Sequence, residues 1–544
     1  MTISKKILLP IIIASVLSLS FVDGNYFEID KNLKLFSSLF KELNKSYVDE
    51  LQVEKMMHTG IDAMLESLDP YTTFYPEEDI EGFKMQMTGK YGGIGALIRK
   101  QDDYVIIAEP YEGFPAHDAR LIAGDKIIEI DGVPFKGKST EDVSNTLRGT
   151  PGSKVDLVIE KPGSSKKVKL TLTREEIKIS SVPYYGMIDD IGYVILNSFT
   201  NDCSSELKDA IVELKKNNPK GLILDLRSNP GGLLNEAVNV SNLFIDKGKE
   251  VVRTKGKEEN SDKPFKTRRA GFDTEIPLVV LTSGGSASAS EIVSGVMQDY
   301  DRGVIVGEKT FGKGLVQSTK DIGYNSKLKL TTAKYYLPSG RCIQAIDYSG
   351  KYKDGAVKVP DSLRTKYKTI AGRIVRDAGG IDPDVEVEDE EFSKLVMSLY
   401  IKQYFFHYAT DFVQKNPSIA SPSEFKVTDE IYADFSTFLS GKDYDYKTQS
   451  EILLEELKKR AEKEEIMDQI KENVESLETK IKHDKAQDLI KYKSQVSEFL
   501  EGEIVTRYYN QKGRIEASLD TDPFVLEAVE TLKDPAKYKK LLSN

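Results

Sequence analysis

The chain has 544 residues, enough for about three or four domains of ordinary size. Apolar residues make up 39% and charged residues 30%, a balance typical of a soluble globular protein rather than a disordered one. The formal net charge is −11 and no long basic run occurs, which argues against nucleic acid or an anionic membrane surface as the main partner.

Residues 1–24 have the pattern of an export signal. Lys5 and Lys6 precede an apolar stretch over residues 7–22. A positive start followed by a short apolar segment is typical of a secretory signal, and the stretch is shorter than the ~20 residues that span a bilayer comfortably. We therefore expect an exported protein of the periplasm or cell envelope. Whether the signal is cleaved or remains as an inner-membrane anchor is left open.

The chain offers little for metal or disulfide chemistry. Its two cysteines, Cys203 and Cys342, are far apart, and the sequence leaves open whether they form a bridge or remain two thiols. No CxxC or HExxH motif occurs, and the histidines at 58, 117, 407 and 483 are scattered. We expect no metal site and no cofactor.

Residues 25–85 are predicted to be helical. Leu33, Phe36 and Leu39 recur at three-residue steps, with a second apolar set around Met57 and Ile61, and Asp69-Pro70 breaks the pattern. We interpret these apolar residues as packing support.

Residues 86–176 change to short alternating runs separated by turns, which predicts a small, mostly β domain that contains one helix near residues 140–147. Gly92, Gly93 and Gly95 stand near its start, where an apolar strand is predicted at 94–98. Residues 177–390 contain continuously apolar strands separated by helices, which predicts an α/β core covered on both faces. Residues 391–544 are helical and charge-rich.

A run of small residues follows a buried strand in the α/β core. Ser288 lies in this run, just before a predicted helix. Free N–H groups and the helix dipole favour negative charge at such a helix start, and the next main-chain N–H, that of Ala289, could stabilise an oxyanion. The run alone could equally be a turn with a helix cap.

A serine nucleophile needs a base, and no histidine lies between residues 191 and 345. Lys313 stands between two glycines and before apolar Leu315 and Val316, which suits a desolvated lysine whose pKa falls toward neutrality. Gln317, four residues later, could orient it. Taken alone, Lys313 could be a surface lysine.

A nucleotide-binding alternative fails on one residue. Gly307, Gly312 and Lys313 have the spacing of a phosphate-binding loop, but that loop needs Ser or Thr next, and Gly314 stands there.

Residues 283–317, SGGSASASEIVSGVMQDYDRGVIVGEKTFGKGLVQ, resemble the catalytic stretch of the C-terminal processing peptidases, also called tail-specific proteases. The segments LDLRSNPGG at 224–232, YGGIGALI at 91–98, LIAGDKIIEIDG at 121–132, LKLTTAKYYLPSGRCIQ at 328–344 and GIDPDVEVED at 380–389 extend the likeness over residues 30–390. A segment near 346–372 departs from it as an apparent insertion, and residues 391–544 match nothing assigned.

This resemblance implies a Clp protease/crotonase-like α/β core with an inserted PDZ domain, preceded by N-terminal helices and followed by a C-terminal helical domain. It implies Ser288 as nucleophile, Lys313 as general base and Gln317 in support, with an oxyanion hole formed by Ala289 and either Gly231 or Gly232. Peptide binding to the PDZ domain is implied for five residues: Gly92, Gly93, Ile94, Gly95 and Ala96.

The implied activity is that of a serine endopeptidase acting on proteins or peptides with apolar C-termini. Adaptor binding or self-association is expected through the C-terminal helices, and membrane association through the N-terminal segment. A PDZ scaffold with an inactive core is the competing interpretation, and the presence of both Ser288 and Lys313 disfavours it.

Overall fold

The computed structural model describes residues 24–348, 357–388, 391–481 and 485–543. The export signal predicted for residues 1–24 therefore lies almost wholly outside the described residues, as does His483. No helix within these ranges is both long and apolar enough to cross a membrane.

The chain divides into two compact units, residues 1–74 and residues 75–544. The first contains helices α1 (Gly24–Ser46) and α2 (Val53–Glu66). Leu33, Phe36 and Leu39 are exposed on α1, so the prediction that they serve as packing support is wrong. On α2, Leu65 is buried, as expected for an apolar residue that contributes to packing.

The strand β1 (Thr73–Tyr75) falls at the division between the units, and helix α3 (Ile80–Thr88) follows it. The predicted helical region 25–85 is thus helical in three separate pieces. Asp69 explains one interruption, because its carboxylate accepts hydrogen bonds from the N–H groups of Tyr71 and Thr72 and closes a turn.

A small β domain follows, and its core is one apolar cluster of alternating strand residues with Val143 and Leu147 from a helix. The main sheet has the strand order β3-β4-β5-β7-β8, with β6 paired to β5. The elements are β2 (Lys90–Gly93), β3 (Ala96–Gln101), β4 (Tyr104–Pro110), α4 (Pro115–Asp118), β5 (Lys126–Ile130), β6 (Val133–Pro134), α5 (Thr140–Leu147), β7 (Lys154–Glu160), β8 (Lys167–Thr173) and β9 (Glu175–Lys178).

The α/β core is built on a six-stranded sheet of order β10-β11-β12-β15-β16-β23, in which all neighbours are parallel except β10 and β11. Its elements are β10 (Tyr185–Ile188), β11 (Ile191–Ile195), α6 (Cys203–Lys215), β12 (Gly221–Asp225), α7 (Leu234–Phe244), β13 (Glu250–Gly256), β14 (Lys263–Lys266), β15 (Leu278–Thr282), α8 (Ala289–Asp299), β16 (Val304–Gly307), β17 (Leu315–Gly323), β18 (Ser326–Tyr336), β19 (Ile346–Asp347), β20 (Val357–Lys358), β21 (Lys366–Lys368), β22 (Ile374–Arg376) and β23 (Val385–Glu386).

The C-terminal part is helical, as predicted. Its helices are α9 (Lys394–Ile401), α10 (Tyr404–Lys415), α11 (Asp429–Phe438), α12 (Gln449–Lys463), α13 (Met467–Ile481), α14 (Lys485–Lys491), α15 (Lys493–Ser518), α16 (Pro523–Lys533) and α17 (Pro535–Leu542). Residues of α9, α10, α11 and α15 form a separate apolar core rich in phenylalanine and tyrosine.

Helix α16 does not belong to that separate core. Helices α6, α7 and α8 cover one face of the six-stranded sheet, while Phe524, Val525 and Val529 of α16 pack on the other. The prediction of a core covered on both faces is confirmed, and the second face is covered by a helix from the predicted C-terminal helical region, residues 391–544. The C-terminal helical region thus includes a helix that packs on the sheet of the α/β core.

Candidate active site

Ser288 occupies a strained position between β15 and α8. Its backbone has φ +56° and ψ −110°, in a region that residues with a side chain rarely adopt. All residues of α8 are buried, and Ser288 is its N-cap. Strain of this kind persists only where the surrounding structure enforces it, and it is common at functional sites. The N-terminal end of α8 also gives Ser288 a positive electrostatic environment.

The fully buried carboxylate of Glu291 joins the Ser288 and Lys313 segments. Oε2 accepts hydrogen bonds from the main-chain N–H groups of Ser288 and Lys313, each at 2.8 Å. Oε1 accepts from Thr310 Oγ1 at 2.6 Å and from the N–H of Gly312 at 2.7 Å. Burial raises the pKa of Glu291, while these four donors act in the opposite direction.

Tyr335 makes a second connection between the same two segments. Its hydroxyl donates to the carbonyl oxygen of Lys313 at 2.7 Å and approaches that of Ser288 at 3.2 Å. Burial raises the pKa of Tyr335 well above its ordinary value, which keeps the hydroxyl protonated and able to donate. The Ser288 and Lys313 segments are thus held together through their N–H groups by Glu291 and through their carbonyl groups by Tyr335.

The glycine turn after β12 lies against Ser288. A Cβ atom added to Gly231 would lie 2.8 Å from Ser288 Cβ and 2.8 Å from Ala289 N, and Gly231 has φ +97°. The N–H of Gly231 donates to Asn229 Oδ1 at 2.9 Å. Within the described residues, the N–H groups of Gly232 and Ala289 have no acceptor. The sequence leaves open whether Gly231 or Gly232 contributes to the oxyanion hole. Of the two, Gly232 has the N–H group that is available as a donor.

Gln317 lies on β17, where its Nε2 donates to Thr331 Oγ1 of β18 at 3.2 Å. The β17–β18 register shifts between Val316 and Gln317. The structure thus records a strand contact for Gln317, and its support of Lys313 stays a prediction. Because Leu315 begins a strand rather than a helix, the nucleotide-binding alternative also lacks the helix that such a loop precedes.

The glycine segment of the β domain differs from the prediction in detail. Gly92 and Gly93 belong to strand β2, and the next strand begins at Ala96 rather than at Ile94. The N–H groups of Ile94 and Gly95, between the two strands, have no acceptor among the residues described. β3 lies at the edge of its sheet, so that one side of the strand can accept another extended chain.

Both cysteines are free thiols, which answers the question that the sequence left open. Cys203 is buried, and its Sγ lies 3.5 Å from Glu236 Oε2. Burial, together with Glu236, raises the pKa of the Cys203 thiol above its ordinary value, so it is a packing residue rather than a reactive one.

Glu291 and Tyr335 are site residues that the sequence analysis missed. A signal for Glu291 was present, because Ser288-x-x-Glu291 has the spacing of a helix capping box. No local pattern could have pointed to Tyr335, which approaches Ser288 from a strand 47 residues later.

Three family models match separate parts of the chain. Peptidase family S41 matches residues 190–351, the PDZ domain matches residues 83–160, and the probable PDZ-protease C-terminal helical domain matches residues 395–532. A carboxy-terminal-processing protease of Bartonella bacilliformis is 36% identical over 357 residues, covering 65% of this chain and 81% of that protein. The chain belongs to the carboxy-terminal-processing proteases of peptidase family S41.

Two further proteins are similar to the chain. A probable CtpA-like serine protease of Staphylococcus aureus is 37% identical over 318 residues, covering 57% of this chain and 62% of that protein. The solved photosystem II D1 C-terminal processing protease is 28% identical, with a TM-score of 0.35, and the match covers 65% of this chain and 92% of that one. The resemblance inferred from the sequence motifs is confirmed, and the protein is a serine-type peptidase with a PDZ domain and a C-terminal helical domain.

Proposed function

We propose that this S41 peptidase hydrolyses peptide bonds with a Ser–Lys dyad. Neutral Lys313 removes the proton from Ser288 Oγ, which attacks the scissile carbonyl carbon. The oxyanion of the tetrahedral intermediate is stabilised by the N–H groups of Ala289 and Gly232. The intermediate collapses to the acyl-enzyme as the C–N bond breaks, and protonated Lys313 gives its proton to the leaving amine. Neutral Lys313 then takes a proton from water, which attacks the acyl carbon and releases the serine hydroxyl and the new C-terminal carboxyl group. The observation that supports this assignment best is the shared oxygen of Glu291, which accepts from the main-chain N–H groups of both Ser288 and Lys313.

The substrates in this proposal are envelope proteins cleaved near or at their C-terminal tails. The PDZ domain binds the substrate tail as an added strand beside β3, with the tail carboxylate at the N–H groups of Ile94 and Gly95. Export through residues 1–24, and membrane association by the same segment, belong to the proposal. So does adaptor binding or self-association through the C-terminal helices.

Casein cleavage by the purified protein without nucleotide tests the activity. We expect cleavage by the wild-type protein and none by Ser288→Ala or Lys313→Ala, because nucleophile and base act as one unit. Circular dichroism must show that both variants are folded. A folded wild-type protein that fails to cleave casein or unstructured peptides would favour the competing interpretation of a PDZ scaffold.

A histidine-free variant tests the choice of base. His58, His117 and His407 all lie outside residues 191–345 in the described chain. Replacing all four histidines with glutamine should leave most of the activity in a folded protein. Loss of the chemical step, measured as single-turnover acylation, would rule out Lys313 as the only base.

A further inference from the structure

Arg227 connects the α/β core to the C-terminal helices. It lies two residues after the end of β12 and two residues before Asn229, where the glycine turn begins. Its Nε and Nη2 atoms lie 2.7–3.1 Å from the carboxylate of Asp225. The same guanidinium group contacts Asp522, with Nη1–Oδ1 at 3.0 Å and Nη2–Oδ2 at 2.7 Å. Two-point contact of this kind fixes the orientation of the guanidinium plane as well as its position.

Asp522 is itself held in place. It is the N-cap of α16, where Oδ1 accepts from the N–H groups of Phe524 and Val525 at 2.9 and 3.2 Å. The guanidinium of Arg227 also lies 5.0 Å from the centre of the Phe524 ring. The side chains of Arg227 and Asp522 are 20% and 17% exposed, so solvent and salt screen their attraction less than at an open surface.

The turn that follows Arg227 is already fixed on its other side by the nucleophile segment. The carbonyl oxygen of Asn229 accepts from Ala287 N at 3.0 Å and from Ser290 Oγ at 2.8 Å. Between Arg227 and Asn229, Ser228 has φ +56°, a strained backbone that neighbouring contacts must maintain. The contact between Arg227 and Asp522 restrains the residue next to Ser228 and so helps to maintain this backbone conformation.

We infer that Asp522 is a positioning residue for the oxyanion hole: acting through Arg227, it fixes the start of the turn that presents the Gly232 N–H to Ser288. The inference rests on the role proposed above for Gly232. It gives the C-terminal helical part a function in catalysis, because α16 carries Asp522 and packs on the sheet that bears the site.

The chain provides a matched control for the role of Asp522 as a helix cap. Asp534 precedes a proline as Asp522 does, and it caps α17 by accepting from Ala536 N at 2.9 Å and Lys537 N at 3.0 Å. Among the described residues Asp534 forms no ion pair. Replacing either aspartate with asparagine keeps a good helix cap, but only Asp522→Asn removes a negative charge from Arg227.

Steady-state cleavage of a fluorogenic peptide by Asp522→Asn and Asp534→Asn gives the first test. We expect Asp522→Asn to lower kcat about tenfold with little change in KM, because a displaced oxyanion donor affects the transition state more than substrate binding. Asp534→Asn should match the wild type. In an Arg227→Gln background, Asp522→Asn should cause no further loss. Equal kcat for the two asparagine variants, or additive losses in the double variant, would overturn the inference.

Hydrogen exchange of full-length protein gives a readout that does not depend on peptidase activity. We expect faster amide exchange over residues 228–233 in Asp522→Asn and wild-type exchange there in Asp534→Asn. Unchanged exchange in this segment would refute the positioning role. Faster exchange with an unchanged kcat would also refute it, since the contact would then be structural alone. A wild-type protein without peptidase activity would instead reject the proposed function, and the exchange experiment would still decide whether Asp522 orders the turn.

Discussion

The main-chain N–H groups of Ser288 and Lys313 donate to one and the same oxygen of Glu291, each over 2.8 Å. The two residues come from different loops of the α/β core, after β15 and after β16. The Glu291 carboxylate therefore fixes how far apart the backbones of Ser288 and Lys313 lie. Its burial makes the arrangement sensitive to any loss of an acceptor.

Glu291→Gln should lower both stability and activity. A glutamine amide offers one acceptor oxygen, so its NH₂ group must face two of the four donors that now point at the carboxylate. Each buried donor left without an acceptor costs about 1–3 kcal/mol. We expect a lower Tm and at least about a tenfold loss of kcat, measured by calorimetry and peptide cleavage.

Glu236→Gln is a suitable control, because Glu236 also accepts a main-chain N–H, that of Ser204 at 2.9 Å, away from the two loops. It should leave kcat unchanged. Wild-type kcat in a folded Glu291→Gln variant would show that the shared oxygen does not position the dyad.

Much of the fold could be predicted because its signals are local. The helix Thr140–Leu147 occurs at the predicted residues, where apolar spacing and turn residues mark both ends. The continuously apolar strands predicted for residues 177–390 are observed, for example as Gly221–Asp225, which is buried throughout. The exposed face of α1 could not be predicted, since helical periodicity shows that a face is apolar but not what covers it.

The site was predicted only where its residues carry their own pattern. Ser288 stands at a strand-to-helix junction and Lys313 between glycines, so both can be found in sequence. The choice of Gly232 over Gly231 depends on Asn229 accepting the N–H of Gly231, which is a matter of three-dimensional geometry. The contact between Arg227 and Asp522 joins positions 295 residues apart, and neither residue is unusual in its local sequence.

Activity should rise with pH if Lys313 is the base, because only the neutral amine can accept the proton from Ser288. We expect kcat/KM on an uncharged peptide to increase from about pH 6 toward about pH 9 while the protein stays folded. Lys313→Arg is the matched variant: it keeps a positive charge, yet an arginine is not deprotonated in this range, so activity should be lost. A steady fall of activity with rising pH would contradict the lysine base.

Glu109 should make the stability of the protein depend on pH. It lies on β4 of the PDZ domain and accepts the N–H of Gln511 at 2.9 Å, next to Asn510, whose φ of +54° interrupts α15. Burial raises the pKa of Glu109 above its reference value of 4.5, although Gln511 and Arg514 act against the shift. The folded chain therefore binds this proton more tightly than the unfolded chain. The resulting stabilisation is present at low pH and is lost as the pH rises through the raised pKa.

Glu109→Gln retains an acceptor for Gln511 but cannot titrate. The Tm of wild type relative to Glu109→Gln should therefore be most favourable below the reference pKa of 4.5 and should decline as the pH rises through the raised pKa of Glu109. Glu112→Gln, at an exposed position nearby, controls for the replacement of a glutamate by glutamine in itself. Parallel curves for wild type and Glu109→Gln would mean that this carboxyl does not titrate differently on folding.

The PDZ domain should distinguish a free C-terminus from a blocked one. The N–H groups of Ile94 and Gly95 are available for a carboxylate, and β3 has an open edge beside them. Pairing is limited at the C-terminal end of β3, because Gln403 Nε2 of the C-terminal helices donates to the carbonyl oxygen of Lys100 at 3.1 Å. An added strand can therefore pair only between Ala96 and about Arg99, which favours recognition of the last few residues of a tail.

Calorimetric titration of full-length Ser288→Ala with two versions of one apolar peptide decides this point. The peptide with a free carboxylate should bind, and the amidated peptide should bind at least about tenfold more weakly, since it loses charge-assisted hydrogen bonds. A tail that also activates cleavage must bind the active form better than the inactive one, and titration of cleavage by the wild-type protein measures this separately. Equal affinity for both peptides would mean that the segment around Gly95 is only a turn, and tail preference would then have to arise at the catalytic groove.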